Sequence, residues 1–117
     1  MSSPPRFPDD AAFRAAAAGT LHHLTACLDE LDHDVDVRST PGNLQVLFED
    51  SGATFVLSQQ TPTHELWLSA NLRAWHFHSR GGRWLERDTG QPLVEVFEGL
   101  VSEKVRAAVS FTGGPGL

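Results

Sequence analysis

A single cysteine, Cys27, stands in the chain, so no intrachain disulfide can form, which fits a reducing compartment. No uninterrupted apolar run approaches the ~20 residues needed to cross a bilayer. Basic residues are scarce in the first half. Residues 1–50 hold only Arg6, Arg14 and Arg38 against nine acids, whereas residues 51–117 hold six of each sign. The net charge of −6 therefore resides entirely in the first half. A field of that sign repels nucleic acid and anionic membrane, and attracts metal ions or basic protein surfaces. The stretch Ser2–Asp10 carries three prolines and two acids, and is neither a secretory core nor a basic transit peptide. These features point to a cytoplasmic protein. Cys-x-x-Cys, His-Glu-x-x-His, a phosphate loop, a nucleotide fingerprint and Gly-x-Ser-x-Gly are all absent. No nucleophile, base and orienting group can be assembled, so the expectation is that the protein is not an enzyme.

What is present suits a soluble globular protein: 40% hydrophobic and 21% charged residues in the length of one domain. A single domain over residues 1–117 is expected, with loosely ordered tails at 1–8 and 112–117. Asp9 or Asp10 caps a helix in which Phe13, Ala17, Leu21, Leu24, Leu28 and Leu31 form one apolar stripe. That helix should end near Asp32-His33. The period then drops to two, through Val35 and Val37. Further strands are expected at Leu44–Phe48, Thr54–Ser58, Glu65–Ala70, Ala74–His78 and Arg83–Glu86, separated by short turns at Pro41-Gly42-Asn43, Glu49–Gly52 and Gly81-Gly82. Nothing between them is long enough for a parallel crossover. Pro92 opens a second helix with Leu93, Val96, Phe97, Leu100 and Val101 as its stripe, ending near Lys104–Arg106. Val109-Ser110-Phe111 can tuck against the helices, and Gly113-Gly114-Pro115-Gly116 reads as a flexible end. The expected fold is α+β: a two-layer sandwich, two helices on one face of a five- to six-stranded antiparallel sheet.

Strand parity then assigns faces. Leu66, Leu68, Trp75 and Phe77 point to the core. Glu65, Trp67 and Ser69, with His76 and His78, point to an open face. An outward Trp67 on a rigid sheet is a typical interface anchor. The competing reading is a one-residue register slip, which would return it to the core.

The stretch Leu28–Val37 holds five carboxylates, Asp29, Glu30, Asp32, Asp34 and Asp36. Carboxylates at a helix C-terminus oppose its partial negative charge at a few tenths to ~1 kcal/mol each. Charge runs also occur as ordinary solvated surface. The cost at the helix end and the alternation Asp32-x-Asp34-x-Asp36 favour a cation or a basic partner. All-oxygen ligation suits Ca²⁺, Mg²⁺, Mn²⁺ or ferric iron without a sharp choice. An EF-hand is excluded, because Val37 and Asn43 stand where its Gly and Glu belong. His76 and His78 share a face, and His23 and Cys27 are four apart; surface histidines and half-buried packing are the readings favoured for them.

Gly42-Asn43-Leu44 through Phe48 and Glu49, Gln60-x-Pro62 followed by Glu65-Leu66-Trp67-Leu68-Ser69-Ala70, Trp75-His76-Phe77, Gly82-Arg83-Trp84 and Asp88-x-Gly90 together form a pattern. It resembles the frataxin family, specifically the short bacterial (CyaY-type) members, over about Ala11 to Phe111. The resemblance implies weak iron binding, as Fe²⁺ or Fe³⁺ with other divalent cations possible, on an acidic ridge of Asp29, Glu30, Asp32, Asp34 and Asp36. It implies regulation of iron–sulfur cluster assembly, with the cysteine desulfurase and the scaffold protein as partners. Gln60 and Trp67 on the sheet face, with Asp29 and Asp32 on the ridge, would bind those partners. No nucleic acid, no membrane and a monomeric state are expected. The alternatives are an acidic adapter with no metal role and, last, a weak ferroxidase. Several positions depart from the family pattern. Thr25 and Ala26 stand where acids often occur one turn earlier, Ser58-Gln59 precedes the Gln-x-Pro loop, and Arg73-Ala74 replaces a glycine pair and adds a base near the open face.

Overall fold

The computed structural model describes residues 7–31 and 35–117. Helix α1 spans Asp10–Asp29, and the Asp9 carboxylate caps it by accepting from the Ala12 amide at 2.8 Å. Its buried face is Phe13, Ala17, Thr20, Leu21, Leu24 and Leu28, the stripe expected from the spacing, with Thr20 added. The helix stops earlier than the spacing suggests. Glu30 closes it, its amide donating to the Cys27 carbonyl at 3.2 Å, and Leu31 is half-buried beyond the end.

Six strands follow: β1 Val35–Thr40, β2 Asn43–Phe48, β3 Ala53–Gln60, β4 Glu65–Ala70, β5 Arg73–Arg80 and β6 Arg83–Glu86. They lie side by side in chain order, every neighbour antiparallel. Thr40 pairs with Asn43, so the β1–β2 connection is the two-residue turn Pro41-Gly42. Helix α2, Leu93–Val105, buries Leu93, Val94, Phe97 and Val101; Pro92 precedes it as cap rather than as first residue. Both helices pack on the sheet face formed by Leu44, Val46, Phe48, Phe55, Leu57, Leu66, Leu68, Trp75, Phe77 and Trp84. This is the α+β sandwich read from the sequence. Each fully buried Leu or Phe on that face contributes roughly 1.5–3 kcal/mol.

The C-terminal segment departs from expectation. Residues 112–117 were expected to be loosely ordered, with glycines as a flexible end; instead they form a strap against the fold. Phe111 is fully buried, and its carbonyl lies 2.9 Å from His23 Nε2. The Pro115 carbonyl accepts from the Thr20 hydroxyl at 2.7 Å, and the Gly116 carbonyl accepts from the Trp84 amide at 3.0 Å. At two of the glycines nothing larger fits: a Cβ on Gly114 would clash with the His23 ring, and one on Gly116 would lie 2.6 Å from the Trp84 indole. At the other terminus, Phe7 packs edge-on to Phe13 with ring centroids 5.7 Å apart.

Candidate functional site

Two surfaces carry the residues singled out by sequence. The first is the α1–β1 junction. Asp29 is the last residue of α1 and Glu30 its cap; both are exposed, and no base stands in the last helical turn. Neither has an ion-pair partner among the described residues. Asp32 and Asp34 lie outside the described residues. Asp36 is on β1 between Val35 and Val37, which pack against the core, so its side chain faces away from the helices. Its carboxylate lies 3.3 Å from Arg38 Nε. Asp36 thus belongs to the open sheet face, whereas Asp29 and Glu30 belong to the helix layer. Among the described residues, no three His, Cys, Asp or Glu side chains are grouped to hold a metal ion. The donors there are carboxylate oxygens in contact with water, a set that suits a hard cation loosely held. Glu49 and Asp50, in the β2–β3 turn, sit at the same end of the sheet, since Phe48 pairs with Val35.

Cys27, one turn before the helix end, is half-buried with Sγ 3.5 Å from His23 Nε2. Burial, and then the negative charge of Glu30, push its thiol pKa up.

The second surface is the open sheet face. Trp67 is 37% exposed, which settles its register in favour of the outward reading. It stands opposite Ser58 on β3 and His76 on β5, and its ring centroid is 4.6 Å from that of His76. Trp67 Nε1 donates to Glu65 Oε1 at 3.0 Å. Glu65, expected on the open face, has that parity but is only 7% exposed, because the Trp67 indole and Arg87, with Nη1 3.6 Å from Oε1, cover it. Gln60 pairs with Glu65 in the ladder, and its side-chain amide donates to Ser58 Oγ at 3.1 Å. Gln60 and Trp67 are therefore diagonal neighbours on one face. The loop that ends β3 is anchored by His64. This residue closes a 3₁₀ turn over Thr61–Thr63, stacks on Phe13 at 4.8 Å and puts Nε2 2.8 Å from Asp10 Oδ1.

Arg73, expected beside this face, is not there. It shares the core-side parity of Trp75 and lays its guanidinium over that ring, 4.7 Å from the centroid. Glu86, also core-side, is 6% exposed and organises the turn into α2. It accepts from the amides of Asp88 at 2.8 Å and Thr89 at 3.0 Å, and from that of His76 at 3.4 Å. Burial pushes its carboxyl pKa up, but these bonds and that from the Thr89 hydroxyl outweigh it and leave the pKa below its ordinary value.

Residues 7–107 match the model of the frataxin-like domain. The chain belongs to the frataxin family. An iron-sulfur cluster assembly protein CyaY of Cupriavidus taiwanensis is 31% identical over 106 residues, covering 87% of this chain and 95% of the relative. One of Pseudomonas fluorescens with the same description is 32% identical, covering 89% and 96%. Among solved structures, frataxin from Psychromonas ingrahamii superimposes with a TM-score of 0.83 at 21% identity, covering 90% of this chain and 99% of that one. Yeast frataxin gives 0.69 at 21% identity, covering 91% and 95%.

Within this frataxin fold, the named site residues divide between two layers. Trp67, Gln60 and Asp36 share the sheet face, and Asp29 and Glu30 close the first helix. Sequence reasoning missed Glu49 and Asp50, the covered Glu65–Arg87 pair, and a concentration of arginine on β5 and β6. A local charge count would have found the last: residues 73–87 hold four arginines and one acid. Pooling residues 51–117 cancelled them against carboxylates on α2.

Proposed function

We propose that this chain is a non-enzymatic, iron-binding regulator of iron–sulfur cluster assembly that docks on the cysteine desulfurase and scaffold complex. Support for the assembly role comes from family membership and from relatives, named as iron-sulfur cluster assembly proteins, that align over nearly their whole length. The observation that carries the docking mode is the pair of exposed acids Asp29 and Glu30 at the negative end of α1, which have no ion-pair partner among the described residues. Free carboxylates at that position cost stability in the isolated protein, and a basic partner surface would recover it. Asp32 and Asp34 extend the same acidic run in sequence. Iron in this reading is weakly held cargo, bound at micromolar strength or weaker with several waters retained. The outward Trp67, with Gln60 beside it, supplies an apolar anchor for the scaffold protein. The working compartment is the cytoplasm, and the free state is a monomer.

The test is a charge reversal. Asp29→Lys, Asp32→Lys and Asp34→Lys together should abolish binding to the host's desulfurase, measured by calorimetry at low salt; a triple variant that binds as well as the parent refutes the ridge. Trp67→Ala should weaken only the contact with the scaffold.

One observation favours a second reading, an acidic adapter with no metal role. Asp36 faces away from Asp29 and Glu30 and is already engaged with Arg38. Iron titration followed by NMR separates the readings: cargo binding broadens amides around residues 29–36, and an adapter leaves them sharp.

A further inference from the structure

The far edge of the open sheet face carries charge of the opposite sign. On β6, Arg83 and Leu85 face away from the helices, and Arg87 continues that alternation. Arg80 of β5 stands directly opposite Arg83 in the ladder. Like charges in directly opposed positions destabilise an antiparallel pair. Both are exposed, and among the described residues neither the Arg80 nor the Arg83 side chain makes a hydrogen bond or ion pair. The acid nearest them in sequence, Glu86, is turned to the helix side and satisfied by its own turn. Arg87 is only partly engaged, 3.6 Å from Glu65 and 4.0 Å from Asp88, with its side chain 42% exposed. The Gly81-Gly82 turn beside the pair leaves the approach open, since a Cβ at either glycine would meet nothing within 4 Å.

The β6 backbone itself is closed to an added strand. The Trp84 amide is taken by the Gly116 carbonyl at 3.0 Å and the Glu86 amide by the Gln91 carbonyl at 2.8 Å. Recognition at this edge therefore falls to side chains. Arg83, Leu85 and Arg87 present cation, apolar group and cation at alternate strand positions, roughly 7 Å between successive side chains. That spacing matches alternate residues of an extended peptide. A long polyanion is opposed by the field of a chain whose net charge is −6. A short carboxylate-bearing segment meets only the arginines.

We propose that Arg80, Arg83 and Arg87, with Leu85 between them, dock an acidic polypeptide segment of a partner protein. This surface is separate from the acids of the α1–β1 junction and does not rest on the function proposed above. It adjoins Trp67, because Arg87 donates its amide to the His76 carbonyl at 2.9 Å and His76 packs on the Trp67 ring.

The test uses the full ¹⁵N-labelled chain titrated with a synthetic peptide containing Asp-Ser-Leu-Ser-Asp, which puts Asp, Leu and Asp on one face of an extended chain. The expected result is shifts centred on the backbone and guanidinium signals of Arg80, Arg83 and Arg87. Affinity should fall about tenfold or more in Arg80→Glu/Arg83→Glu, consistent with loss of two charge-assisted contacts, and be largely kept in Arg80→Lys/Arg83→Lys. Arg83→Gln alone should melt no lower than the parent, since it relieves a like-charge pair. Four results would each overturn the proposal: equal affinity in the charge-reversal variant; equal binding of the matching peptide with Lys in place of Asp; tighter binding of a short DNA duplex at the same arginines; or self-association of the parent that the charge reversal removes, which would give the patch to a second copy.

Discussion

Thr20 Oγ1 lies 2.8 Å from Trp84 Nε1 and 2.7 Å from the Pro115 carbonyl, so one buried hydroxyl joins α1, β6 and the C-terminal strap. It accepts from the indole and donates to the carbonyl. Thr20 is fully buried on a helix face that is otherwise apolar, which makes it a polar clamp between three chain segments distant in sequence.

Thr20→Val keeps the shape and removes both bonds. The Trp84 N–H is then left buried without a partner, which costs about 1–3 kcal/mol. Urea unfolding should show a loss in that range, with the strap amides exchanging faster than in the parent. An unchanged midpoint would mean the strap is not coupled to the core through this hydroxyl.

Gly116 has φ +76, a conformation that costs other residues roughly 1–2 kcal/mol. A Cβ there also meets Trp84 at 2.6 Å. Gly116→Ala should therefore lower thermal stability and raise Trp84 fluorescence sensitivity to quencher. Gly52→Ala is the control. It carries the same backbone strain at φ +73 but has nothing within 4 Å, so it should cost less and leave Trp84 unaffected.

Glu86 has a folded-state pKa below its ordinary value near 4.5, because several amides donate to its carboxylate. Its contribution to stability is fully present above that value and is lost as pH falls through the lowered one. The stability of the parent should thus decline steeply below about pH 4.5. Glu86→Gln should be less stable at neutral pH and show a shallower acid decline, measured as unfolding free energy against pH.

The Cys27 thiol, with its pKa raised by burial and by Glu30, should alkylate more slowly than free cysteine at pH 8, since the thiolate is the nucleophile. Glu30→Gln should speed the reaction. A thiol more reactive than free cysteine would contradict the half-buried placement beside His23.

Much of the fold was legible because its signals are local. The stripe Phe13, Ala17, Leu21, Leu24, Leu28 is a property of helical geometry alone, and α1 buries those residues. The alternation Leu66-Trp67-Leu68 likewise favours the outward side of Trp67, and its exposure in the fold decides it. The sidedness of Arg73 was legible too. Its strand parity with Trp75 and Phe77 places it on the core side, and only the position of the family's glycine pair suggested otherwise.

By itself, then, the chain's sequence determined the element order, the faces of the strands, the acidic run after α1 and the family. Tertiary structure alone decided the end of α1 at Asp29, the cover over Glu65, the docking of Gly113–Gly116 and the opposition of Arg80 and Arg83. The reason is physical. Periodicity is set by backbone geometry within a few residues, whereas coverage and cross-strand opposition depend on which distant segment lies alongside. Glu65 is buried by a ring two residues away and a guanidinium in the turn after β6. Gly114 and Gly116 serve the van der Waals surfaces of His23 and Trp84, and no short window of sequence contains both sides of those contacts.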